Sequence, residues 1–110
     1  MSIEEVRRRL RAYRALSNRI RLNAFLEISR QPGVSFNSLS RKIGVERGLL
    51  AYHLAVLKAA GIVKVSYERR SKQTSKYELT REGEKLAQEL CSGGRRANRV
   101  KKRVNKWKTL

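Results

Sequence analysis

Aspartate is absent from the 110-residue sequence, and all nine acidic residues are glutamate. That removes Asp-built carboxylate dyads, Asp-rich Mg²⁺ or Ca²⁺ sites and EF-hand loops. One cysteine, Cys91, and one histidine, His53, exclude the four-ligand zinc classes and any disulfide framework within a single chain. Apolar runs are only a few residues long, well short of the roughly 18 to 20 residues of a membrane-spanning helix. The opening Met1-Ser2-Ile3-Glu4-Glu5 contains no apolar stretch of signal-peptide type, so a cytoplasmic, reduced location is the expectation. No nucleophile–base pair, metal cluster or phosphate-cradling glycine loop is present, so neither enzyme activity nor a cofactor is expected.

Positive charge is what the chain has in excess. Lys and Arg number 27 against the nine Glu, a formal net charge of +18 with a sequence pI near 11.3. Such an imbalance opposes compaction of a lone monomer and calls for a polyanionic partner. Composition leaves nucleic acid or an anionic membrane surface. The hydrophobic fraction of 40% suffices for a small core but not for a deep cleft.

Ser2 and Glu5 form a capping-box pattern, and Ile3, Val6, Leu10 and Tyr13 follow at helical spacing among arginines. This predicts an amphipathic helix through about Leu16. A second helix restarts at Ser17-Asn18, and from Ile20 to Ile28 it is apolar nearly all round, the pattern of a helix at the centre of a core. Gln31-Pro32-Gly33, holding the only proline, ends it. Ser35 caps a short helix bearing Phe36, Leu39 and Ile43, closed by Gly44. A longer helix runs from Glu46 to Ala60 with Leu50, His53, Leu54 and Leu57 on one side. Residues 62–67 and 76–79 are β-rich and flank a basic stretch, which suits a hairpin with a long tip. Thr80 caps a last core helix reaching about Cys91, and Ser92-Gly93-Gly94 is a joint before a basic tail. The expected fold is mainly α with a small β-hairpin, a winged helix-turn-helix over residues 1–91, plus a basic C-terminal extension over 92–110.

Residues 39–50 have helix-turn-helix spacing: an apolar residue on the first helix, Gly in the turn, and apolar residues after it. That geometry frees the second helix to enter a DNA major groove, about 12 Å wide. An ordinary helical hairpin has the same local pattern, but the basic hairpin that follows favours DNA.

Three segments also carry a family resemblance. Leu16-Ser17-Asn18-Arg19-Ile20-Arg21-Leu22 resembles the LSxxxRL opening of ArsR-like winged-helix regulators. Residues 48–63 are similar to their recognition helix and its HLxxLxxAGIV exit, and Tyr77-Glu78-Leu79-Thr80-Arg81-Glu82-Gly83 resembles the YxLTxxG end of the wing shared with MarR-like and PadR-like proteins. The resemblance covers about residues 14 to 90. It implies a homodimeric transcriptional regulator of double-stranded DNA, with terminal helices at the dimer interface. Metal-sensing ArsR members carry a cysteine pair at the start of the recognition helix, or His/Asp clusters on the terminal helix. With no Cys before Cys91 and no Asp, no such set carries over. Cys91 reads as a small apolar residue at a helix end, and an intermolecular disulfide is its other reading.

On the recognition helix the expected DNA-facing residues are Arg47, Gly48, Leu49, Ala51, Tyr52 and Lys58. Bidentate base readout uses Arg, Asn, Gln or Lys, and only Arg47 and Tyr52 are placed to attempt it. Ala and Leu can touch thymine methyls. The expectation is modest sequence specificity on top of strong phosphate binding, unless this face packs on protein across a dimer. His53, on the flank of the buried face, reads as a packed, hydrogen-bonded histidine before a DNA contact. The wing residues expected on phosphates or in a minor groove are Lys64, Arg69, Arg70, Lys72 and Lys76, against Glu68 alone.

In the tail, Arg95, Arg96, Arg99, Lys101, Lys102 and Arg103 accompany an apolar stripe of Ala97, Val100, Val104 and Trp107. A helix docking on a partner chain, a DNA-wrapping arm and a membrane-surface helix all fit, in that order of preference. The expected protein is thus a nucleoid-associated, DNA-binding transcriptional regulator with no membrane partner. The sequence identifies no small-molecule ligand. The alternative is an architectural, weakly specific chromatin-type protein.

Overall fold

Side chains that take up free backbone N–H groups set where the helices begin. The computed structural model describes residues 2–67 and 75–91. Helix α1 (Ile3–Ala15) starts at a full capping box: Ser2 Oγ accepts from Glu5 N at 3.1 Å, and Ser2 N donates to Glu5 Oε1 at 3.0 Å. Helix α2 (Arg19–Arg30) starts at Asn18, whose Oδ1 accepts from Arg21 N at 3.0 Å. A two-residue strand β1 (Val34–Ser35) leads into α3 (Phe36–Ile43), where Ser35 Oγ accepts from Ser38 N. Gly44, at φ 73°, ends α3 in the left-handed conformation that glycine adopts without a Cβ clash. Helix α4 (Arg47–Ala59) is capped by the Glu46 carboxylate, which accepts from Leu49 N at 3.0 Å. Strands β2 (Val63–Tyr67) and β3 (Ser75–Leu79) follow, then a helix, α5, over residues 81–91.

The sheet differs from the expected hairpin. It has three antiparallel strands in the order β1-β3-β2, with Val34 opposite Tyr77 and Val63 opposite Leu79. The added strand comes from residues that read as a turn and a helix cap. Two residues are too few to show a period of two, so only β3 reveals β1. The arrangement remains a mostly helical winged helix-turn-helix.

Phe25, Ile28, Leu39, Leu50, Leu57 and Ile62 are the largest fully buried side chains. Helix α2 does supply the centre of this core through Ala24, Phe25 and Ile28, but it is not enclosed. Ile20, Leu22 and Leu26 are only half-buried, although α3, α4 and β3 all pack against α2. Helix α1 buries Ala12 and Ala15, leaving its apolar stripe of Ile3, Val6 and Leu10 exposed.

Thr80 links the exit of α4 to the start of α5. Its Oγ1 donates to Gly61 O at 2.6 Å and accepts from Gly83 N at 3.0 Å. Gly83 is there because a Cβ at this position would lie 2.1 Å from the Ile62 carbonyl oxygen.

Candidate nucleic-acid interface

Helix α4 is anchored on one side and bare on the other. Leu50, His53, Leu54 and Leu57 recur at the spacing that keeps one helical face inward, and all four are buried. In the turn before α4, Ser40 Oγ donates to Val45 O at 3.1 Å, tying α3 to the connection. The opposite face presents Gly48, Leu49, Ala51, Tyr52, Ala55 and Lys58, all exposed, with Tyr52 60% accessible. None of the α4 residues 47–59 is acidic, but the exposed Glu46 cap sets its carboxylate beside Gly48 and Leu49 at the start of this face.

Arg47 is exposed but not extended along that face. Its Nη1 donates to Asn37 Oδ1 in the first turn of α3, and its guanidinium carbon sits 4.9 Å from the centre of the Phe36 ring. Phe36 is itself half-buried against the core, with its ring centre 6.5 Å from that of Tyr77 on β3. The strongest base-reading candidate is therefore drawn back onto α3. Residue type singles out Arg47 in the sequence, but nothing there marks Asn37 and Phe36 as its partners.

His53 is 5% exposed and lies 3.1 Å, through Nδ1, from Arg21 Nη1 on α2. A guanidinium can only donate, so Nδ1 is the acceptor and the neutral ring carries its proton on Nε2. Arg21 is held in turn by Nε donating to Ala15 O at 2.6 Å. Burial first, and then the Arg21 charge, hold the His53 pKa below its ordinary value. The Tyr52 and His53 rings meet in a T-shaped arrangement at 5.1 Å between centres, joining the exposed tyrosine to the buried pair. His53 is thus a packed, hydrogen-bonded side chain. Arg21 stands 32 positions away in the chain, and no local spacing signals that partnership.

On the sheet, Lys64 and Glu78 are direct cross-strand partners, with Nζ 3.8 Å from Oε1, both exposed. Lys76 pairs in register with Ser66 and Ser35. Tyr77 is half-buried, and burial followed by the neighbouring Tyr67 raises its pKa. The wing residues Arg69, Arg70 and Lys72 lie outside the described residues, as do Arg95, Arg96, Arg99, Lys101, Lys102, Arg103 and Trp107 of the tail.

Two helices meet on the far side. Arg9 Nη2 donates to both Glu89 oxygens, at 2.9 and 3.1 Å, and Tyr13 Oη lies 3.4 Å from Glu89 Oε1. The hydrogen bond and charge of Glu89 raise the Arg9 pKa. Beside this link Leu90 is exposed, on the helix that ends the described region at an exposed Cys91. Among the described residues no group of His, Cys and Glu side chains is placed to hold a metal ion, and no helix is long and apolar enough to cross a membrane.

Comparison with known proteins adds to this geometry. Residues 20–93 match a family described as winged helix DNA-binding domain. The structure is similar to that of the transcriptional regulator HlyU from Vibrio vulnificus CMCP6, with a TM-score of 0.67 and 26% identity over 81% of this chain and 90% of that one. It is also similar to MarR (TM-score 0.65, 22% identity, 87% of this chain and 73% of that one). A third similar structure is Streptococcus pneumoniae FabT in complex with DNA (TM-score 0.63, 17% identity, 94% and 75%). At their identities the last two show a shared fold only. No curated protein sequence matches the chain.

Proposed function

The chain belongs to the winged helix DNA-binding domain family, and from that premise we propose that it is a transcriptional regulator of ArsR-like type, acting on double-stranded DNA. Helix α4 enters the major groove with Leu49, Ala51, Tyr52 and Lys58 towards the bases. Lys64, Lys76 and the basic wing residues Arg69, Arg70 and Lys72 lie along the backbone or in a minor groove. The observation that carries this is the exposed face of α4, which bears no acidic side chain past its Glu46 cap, set on a helix whose other face is fixed in the core. The HlyU likeness supports the regulatory role.

The unit that binds is a homodimer. Supporting it are Ile3, Val6 and Leu10 on α1 and Leu90 on α5, a set of apolar side chains that the monomer leaves in water. Residues 1–91 form the DNA-binding domain, and 92–110 an extension whose basic residues and Trp107 serve dimerisation or DNA wrapping. The working location is the cytoplasm, at the nucleoid.

An architectural, weakly selective role is the second reading, and the capture of Arg47 by Asn37 and Phe36 favours it. Footprinting on genomic DNA separates the two. Discrete protected sites are expected of a regulator, whereas uniform protection would assign the protein an architectural role. No salt-dependent protection at all would refute both.

A further inference from the structure

We propose that Asn37 is a positioning residue that decides what Arg47 contacts on DNA, holding it on the phosphate backbone and away from base edges. The proposal rests on the DNA-binding reading of α4 and deepens it.

Arginine is the side chain best able to read a base pair, because its planar fork matches guanine O6 and N7. Arg47 is the only arginine on α4, at its first residue. Its aim is fixed twice. Asn37 Oδ1 accepts from Nη1, and the Phe36 ring covers one face of the guanidinium at 4.9 Å. Both partners lie in the first turn of α3, while the exposed reading positions Ala51 and Tyr52 lie one turn or more along α4. A guanidinium laid over α3 cannot also lie along α4.

The Asn37 carboxamide is available for this because the α3 cap is already made. Ser35 Oγ takes up the Ser38 N–H at 3.1 Å, the role an asparagine near a helix start otherwise fills. Phe36 cannot swing away with Arg47, since it packs against the core and towards Tyr77. One of the five guanidinium N–H groups goes to Asn37, which leaves others for phosphate oxygens. Asn37 thereby converts a base reader into a backbone contact, and the remaining face of α4 offers mainly small and apolar groups.

The test selects binding sites from a random duplex pool with the full chain and three variants: Asn37→Ala, Asn37→Asp and Asn37→Ala combined with Arg47→Ala. Asn37→Ala is expected to recover sites with a new guanine preference of about 5-fold or more at one position, the lower end of a single bidentate contact. The double variant should lose that preference. Asn37→Asp keeps the acceptor and should restore the wild-type motif. In the free protein, proton exchange at the Arg47 side chain should speed up in Asn37→Ala and not in Asn37→Asp. Identical motifs for wild type and Asn37→Ala, or the same new preference without Arg47, would overturn the positioning role while leaving DNA binding standing. Failure of the wild-type chain to retain any duplex would instead remove the DNA-binding reading, and this proposal with it.

Discussion

Arg21 Nη1 on α2 lies 3.1 Å from the buried Nδ1 of His53 on α4, so a cation donates to the only histidine in the chain. The contact is made only by a neutral ring, and protonation would set two cations against each other in a buried place. In the folded state the His53 pKa lies below its ordinary value of 6.5, lowered first by burial and then by Arg21. The unfolded chain therefore binds a proton that the folded one resists. The stabilising contribution is complete above about pH 6.5 and is lost as pH falls from there through the folded-state pKa. Thermal unfolding followed from about pH 8 to about pH 5 should show a falling Tm below about pH 6.5. Replacing His53 by Gln should flatten that part of the profile, and an unchanged slope in His53→Gln would place the titration elsewhere.

Gly83 has no room for a methyl group. A Cβ there would stand 2.1 Å from Ile62 O, backbone that also accepts from Thr80 N at 3.2 Å. Gly83→Ala is expected to destabilise the fold by about 1 to 3 kcal/mol, the range for overpacked sites, by pushing the start of α5 off the α4 exit. Urea unfolding measures it, and wild-type stability in the variant would contradict the close approach.

The exposed stripe of α1 predicts an association defect. Leu10 is 55% exposed and Ile3 68%. In the dimer reading, Ile3→Lys with Leu10→Lys should give a monomer by sedimentation without lowering monomer stability, since both side chains already face water. A dimer that survives these changes would move the interface elsewhere. Deleting residues 95–110 in parallel tells the tail readings apart: loss of dimer mass marks a docking helix, and a retained dimer a DNA-binding arm.

Much of this fold was legible in the sequence because its signals are local. Ser2, Asn18 and Ser35 act within three residues of themselves, as Thr80 does in accepting from Gly83 N, and Gly44 needs only its own left-handed backbone. The buried side of α4 follows from helical spacing alone. What escaped depends on distance along the chain. Strand β1 exists because Val34 meets Tyr77, and His53 is satisfied by an arginine from another helix. The same holds at the interface: Arg47 could be picked out by residue type, but its direction is set by Asn37, ten positions earlier on a different helix.

The basic wing gives a prediction about ions. Neutralising Arg69, Arg70 and Lys72 together should weaken binding to every duplex alike. The dependence of log affinity on log salt should flatten by up to about 0.9 for each phosphate that these side chains no longer neutralise. A slope equal to wild type would take them out of the interface.

The proposed mode of binding requires that the chain grip the DNA backbone strongly and read sequence weakly. Titrating the full chain with a selected site and with random duplex, over a range of salt concentrations, tests this most directly. The predicted result is a steep salt slope for both duplexes and a specificity ratio below about 10⁵, in the lower part of the range for specific binders. A shallow slope, or a ratio above that value, would contradict it.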